Sequence, residues 1–237
     1  FQRIEGSLVL GDIQSRRSGE PFRIGGTLDG LSFDGPIFLK DGVIRTFAFP
    51  PTIDRLDATF RLSDDEVELE KLSGFLGGGP LEGQGTILLG SDYLPVHYDL
   101  ELHGRDAFLR YPSFLPPGTS DLDLKFSGDV ENLLLAGDIY LKRMVYRERY
   151  NWEKILTDFR TYQLEDVAYE EEEDPLFNLD IRIHVPGTFY IRNNIGNLQL
   201  KADLQLTGDT NNMGLYGNVE SVRGTLEMLD NTFEVTQ

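Results

Sequence analysis

The chain holds 237 residues, enough for one large all-β domain or two ordinary ones, and it begins at Phe1 rather than Met, so it reads as a piece of something longer. Its 22 Lys and Arg against 40 Asp and Glu leave a formal charge of −18, which repels nucleic acid and anionic membrane surfaces; a phospholipid would have to be met through an apolar interior. The absence of cysteine excludes thiol catalysis, disulfides and cysteine–metal sites, and the lack of any 18-residue apolar run or charged-then-apolar leader puts an anchor or signal peptide outside this piece.

In chain order, the pattern predicts short strands separated by glycine turns. Leu8-Val9-Leu10 ends the first. Phe22–Leu28, Ile37–Lys40 and Val43–Phe49 follow, closed by Pro50-Pro51. Leu56, Ala58, Phe60 and Leu62 alternate with Asp57, Thr59 and Arg61, which gives a strand one oily and one wet face. Ser63-Asp64-Asp65 is a turn, and Val67 and Leu69 then alternate with Glu66, Glu68 and Glu70. Phe75–Leu89 predicts two more short strands linked by glycines, and Pro95–His103 another alternating one. Tyr111–Gly118 is a proline-rich connector and the candidate seam between an N-terminal half, 1–112, and a C-terminal half, 113–237, unless the two form one continuous domain.

Asp123–Arg143 (DLKFSGDVENLLLAGDIYLKR) recurs 80 positions later as Asp203–Arg223 (DLQLTGDTNNMGLYGNVESVR), with eight of 21 positions identical. Fixed-period self-similarity marks a stacked, repeating architecture. Each copy reads as an alternating strand, a Gly-Asp turn (Gly128-Asp129, Gly208-Asp209) and a returning strand with an internal glycine, Gly137 or Gly217. Such a glycine marks a bulge or a close backbone approach.

Between the copies, Trp152, Ile155, Leu156 and Phe159 fall on one helical face, and Asn151 can cap it, so a short amphipathic helix is predicted over Asn151–Arg160. Glu170–Asp174 is a run of like charge and reads as a solvated loop. Leu179, Ile181, Ile183 and Val185 alternate with Asp180, Arg182 and His184, the clearest amphipathic strand of the chain. Phe189–Arg192 is a short strand, Leu198 to Leu206 a long oily stripe, and Thr225–Met228 with Phe233–Val235 a hairpin around Asp230-Asn231.

Catalytic signatures do not emerge. Gly77-Gly78-Gly79-Pro80 lacks the Lys-Ser/Thr of a phosphate loop, and no Gly-x-Ser-x-Gly elbow occurs. His97 and His103 lie on the predicted strand Pro95–His103 and His184 on another; none has a second histidine at helical ligand spacing, and they read as strand-surface residues rather than ligands. The expectation is therefore no enzyme, no catalytic residue, no metal and no cofactor.

The segments LDATFRLSDDEVELEKLSGFLGGGPLEGQGTILL (Leu56–Leu89), GDIYLKRMVYRERYNW (Gly137–Trp152) and GNVESVRGTLEMLDNTFEV (Gly217–Val235) resemble the C-terminal region of the TamB family, AsmA-like β proteins of the periplasm. The acidic run near Glu170 departs from that pattern. The resemblance implies a parent anchored in the inner membrane, spanning the periplasm as a folded-over sheet with an apolar groove (a β-taco). It also implies contact with an outer-membrane barrel of the TamA/BamA type, and a part in moving phospholipid outward and in assembling and secreting outer-membrane proteins.

Three readings follow. The first is a lipid-conducting segment: an all-β, curved, antiparallel-rich open sheet of roughly fifteen strands, on the order of 70 Å long, whose oily face holds phospholipid acyl chains. The alternatives are a structural solenoid or sandwich with a closed core, acting as spacer or adhesin, and a carbohydrate-active enzyme on a solenoid. Period-two alternation does not separate a groove from a closed core, because both bury one face. Under the first reading, which the resemblance favours, the groove lining is Leu56, Ala58, Phe60, Leu100, Leu102, Leu122, Leu124, Phe126, Leu135, Ile139, Leu179, Ile181, Ile183, Val185, Leu198, Leu200, Leu204, Leu206, Leu215 and Val219.

Overall fold

Alternation dictates strands, and strands are what the computed structural model contains. It describes residues 3–10, 21–27, 30–45, 52–111, 115–147, 149, 175–228 and 231–235. Among them, thirteen strands form one sheet. They are β1 Arg3–Leu10, β2 Arg23–Thr27, β3 Gly30–Arg45, β4 Ile53–Ser63, β5 Glu66–Leu76, β6 Gly79–Leu89 and β7 Pro95–Tyr111. The rest are β8 Leu115–Asp129, β9 Leu134–Tyr146, β10 Asn178–Asn193, β11 Gly196–Asp209, β12 Met213–Met228 and β13 Asn231–Val235.

The order is almost sequential: β1-β3-β4 and onward to β13, with β2 beside β1 on the same edge of β3. Neighbours are antiparallel except β9 and β10, which run parallel, from Leu134 opposite Asn178 to Tyr146 opposite Ile191. A parallel pair needs a crossover, and residues 147–177 supply its length. The path never returns on itself, because β1 and β13 do not pair. Among the described residues the sheet is one long open sheet with unpaired edges.

Several elements expected as separate are continuous. Ile37–Lys40 and Val43 onward belong to β3, broken only by a register shift at Asp41-Gly42, where Asp41 takes a φ of 51°. The expected pair of strands over Phe75–Leu89 is the end of β5, a Gly77-Gly78 turn and the single strand β6. Both turn glycines have positive φ, 55° and 86°, as a tight two-residue hairpin requires. Phe189–Arg192 continues β10 through a bulge at Pro186-Gly187. Turn-forming residues here bend strands instead of ending them; a bulge adds one residue to one strand and increases local curvature. The sheet likewise runs on across the proline-rich connector, with Tyr111 of β7 paired to Leu115 of β8.

The internal repeat is structural. Its first copy spans β8 and β9, its second β11 and β12, and Gly137 opposite Leu124 matches Gly217 opposite Leu204. The reversal after Gly128-Asp129 is made by residues 130–133, closed by Asn132 N–H donating to the Asp129 carbonyl at 2.8 Å. In the second copy the Asp209 carboxylate accepts from the backbone N–H of Asn211 and of Asn212, both at 2.8 Å. The predicted helix Asn151–Arg160 and the acidic run Glu170–Asp174 lie outside the described residues. Among those described, no helix is long and apolar enough to cross a membrane.

Candidate functional site

Period two sends every second side chain to the same side, and antiparallel pairing aligns those sides from strand to strand. The result is a single oily face. One cluster joins Leu76, Leu81, Ala107, Leu109 and Leu122; a second joins Leu141, Met144, Leu179, Ile181, Ile183, Val185 and Ala202. Leu124 and Ile139 pack against both, so the face is continuous across β8 and β9. It extends through Leu56 and Ala58 of β4, both buried, with Phe60 half-buried beside them. Phe126 links β7 to the loop before β10, with ring centroids 5.7 Å from both Tyr98 and Phe177.

The residues expected to line the groove are brought to this side. Leu100, Leu102, Leu122, Leu124, Phe126, Leu135 and Ile139 share it by direct pairing, as do Leu179, Ile181 and Ile183 with Leu206, Leu204 and their neighbours. Val185 pairs with Ala202, Leu198 with Ile191, and Leu200 is buried. Leu215 and Val219 reach the same side opposite Leu206 and Ala202, yet are 51% and 57% exposed. The cause is position. β13 pairs only with Gly224–Met228, so the first half of β12 has no outer neighbour among the described residues.

Simple alternation misses the residues beyond each bulge. In β7 the oily positions run Leu100, Leu102, Gly104 and then Ala107, Leu109; Asp106, with a φ of 50°, takes up the extra residue. In β9 they run Ile139, Leu141 and then Met144. Ala107, Leu109 and Met144 are among the most buried residues described. Their local sequence carries no sign of the parity change.

Two hydroxyls interrupt the oil. Ser120 is fully buried, and its Oγ and that of Ser221 are the buried side-chain polar atoms without a partner among the described residues. They occupy one rung of the repeat with roles exchanged: Ser120 opposite Leu141, and Leu200 opposite Ser221. An unpaired buried hydroxyl costs on the order of 1–3 kcal/mol. Ser120→Ala is therefore expected to leave stability unchanged or raise it by about 1 kcal/mol, read as the urea midpoint. A loss of that size instead would mean the hydroxyl has a partner.

The opposite face is a ladder of charge. Arg61 meets Glu70 at 2.9 Å, Lys125 meets Asp99 at 2.8 Å, and Lys142 bridges Asp121 and Asp106 at 2.8 and 2.9 Å. Each histidine pairs with aspartate across strands: His97 with Asp129 at 2.8 Å, His103 with Asp123 at 2.9 Å, His184 with Asp138 at 2.9 Å and Asp203 at 3.3 Å. His184 also stacks on Tyr140, centroids 4.8 Å apart. Among the described residues no group of three or more His, Asp or Glu could hold a metal ion.

These partners shift the carboxylates. The hydrogen bond from His103, then that from Arg105, holds Asp123 below the usual range; His184, then Arg182, does so for Asp138 against the opposing push of burial. A carboxyl depressed on folding stabilises above its unfolded value of about 4, and that contribution is lost as pH falls through the folded value. Urea midpoints should thus fall on acidification below about pH 4, and less steeply in Asp138→Asn. Parallel acid limbs for the two proteins would show that this ladder does not couple to folding.

The family model described as TamB C-terminal domain matches residues 70–237. No curated protein and no solved structure matches the chain.

Proposed function

Because the chain belongs to the TamB family by a match over more than half its length, we propose that it is a periplasmic segment of a bridge that carries phospholipid acyl chains along the oily face between the inner and outer membranes. The observation behind this reading is that the face is continuous while the sheet carrying it stays open. An aliphatic surface of this kind lowers the free energy of an acyl chain by about 0.8 kcal/mol for each methylene it shields from water. The TamB family is anchored in the inner membrane and spans the periplasm, and membership implies in general an outer-membrane barrel partner of the TamA type. Support for outer-membrane biogenesis and protein assembly comes into the proposal through that partner. No catalytic step belongs to it.

The test uses β10. Leu179, Ile181, Ile183 and Val185 are at most 8% exposed on the oily side, while Asp180, Arg182 and His184 face the other way. A photo-crosslinking residue at each of the seven positions in the parent protein should capture phospholipid from the first set alone. Equal capture from both sets would mean adventitious sticking. Capture from neither, in folded protein, would remove the lipid route.

A further inference from the structure

We propose that the wet face at one end of β10, β11 and β12 carries a second site, for a phosphoryl anion. A cavity of about 540 Å³ opens there among Tyr190, Arg192, Asn197, Gln199, Arg223 and Glu234. Strand pairing fixes their placement. Tyr190, Gln199 and Arg223 share one rung; Arg192, Asn197 and Thr225 share the next on the same side, with Glu234 beside Thr225.

The rung is wired. Gln199 donates its amide to the Gly187 carbonyl at 2.7 Å, which turns its own carbonyl oxygen to accept from Arg223 Nε at 2.7 Å. The other two nitrogens of that guanidinium have no partner among the described residues. Arg192 lies over the Tyr190 ring, 5.3 Å from its centroid, and makes no ion pair among the described residues. Elsewhere on this face Arg61, Arg105, Lys125, Lys142, Arg182 and Lys201 each meet a carboxylate. Here two guanidiniums line a cavity with the single carboxylate of Glu234, an excess of one positive charge on a chain of −18. The glutamine contact is peculiar to this copy of the repeat: Arg143, the counterpart of Arg223, likewise makes no ion pair among the described residues but sits opposite Thr119, where Arg223 has Gln199.

Two planar forks suit a tetrahedral oxyanion, which accepts paired hydrogen bonds from each, and the Asn197 amide and Tyr190 hydroxyl are further donors. The site accepts a phosphate mono- or diester, either free or as a lipid headgroup. It lies next to the β10–β11 turn at Asn193–Gly196, so a headgroup held there would sit at the rim of the sheet. The site does not rest on the oily-face reading, because its residues point to the other side.

Titration of the purified chain with inorganic phosphate, glycerol phosphate and a short-chain phosphatidylglycerol below its micelle concentration, followed by the arginine Nε–H resonances, tests it. Saturable shifts of the Arg192 and Arg223 signals are expected. The Arg192→Gln/Arg223→Gln double variant should bind about tenfold more weakly or worse, and Glu234→Gln should bind more tightly. A response to the lipid alone identifies a headgroup site, and an equal response to the two small phosphates identifies a free-phosphate site. No saturable shift with any of the three, or equal binding by the double variant, overturns the proposal. Should the double variant lose its far-UV spectrum, Arg192→Gln alone, whose side chain is exposed, supplies the comparison. Failure of the β10 crosslinks would leave this result untouched.

Discussion

Gly137→Ala is expected to destabilise the fold severely, while the same change at Gly217 is tolerated far better. The two glycines are counterparts in the repeat and nearly identical in geometry, with φ of 139° and 137°. At each, an added Cβ would fall inside contact distance of a carbonyl oxygen on the paired strand, Asp123 or Asp203, and 2.9 Å from the Cα of Leu124 or Leu204. A residue with a side chain is strained at that φ, and the clash forces the strands apart; together these cost roughly 2–6 kcal/mol. What differs is the other side. β9 at Gly137 is clamped by β10, with Gly137 opposite Ile181, so it cannot retreat. β12 at Gly217 has no outer neighbour among the described residues and can bend away. Urea unfolding of the two variants checks this. Equal losses would mean that the strain at φ, and not the confinement of the strand, sets the cost.

Placing a charge on the oily face gives the second large effect. Leu135→Asp and Leu215→Asp are both expected to abolish lipid passage, since a carboxylate in an acyl path is a barrier of about 2.5–3.5 kcal/mol, as in a bilayer, or roughly a hundredfold in rate. They differ in what else they disturb. Leu135 packs against the cluster around Ile181, so its replacement also costs stability. Leu215 is half exposed, and its variant should fold with an almost unchanged urea midpoint. The informative protein is therefore Leu215→Asp, assayed in the parent for outer-membrane integrity. If it folds and integrity is preserved, the oily face is not the route; if it folds and integrity is lost, packing is not the explanation.

The sequence by itself determined a great deal here. Alternation at Leu179–Val185 sorted four residues to one side and three to the other, because a strand offers no third direction. The 80-residue echo announced two equivalent strand pairs, and the internal glycines announced a close backbone approach, as Gly137 and Gly217 show. What the sequence could not fix depends on distant partners. Asp41-Gly42 and Pro186-Gly187 look like turns locally, and only pairing on both sides keeps β3 and β10 unbroken across them. The parity change that carries Ala107, Leu109 and Met144 to the oily side is a property of strand register, set by the neighbour and absent from the residue pattern. Whether the sheet closes edge to edge is decided by curvature summed over all its strands, and only the tertiary structure shows that β1 and β13 do not pair. The cavity between Arg192 and Arg223 belongs to the same class: the two residues lie far apart in the chain, and strand pairing alone brings their charges to one place.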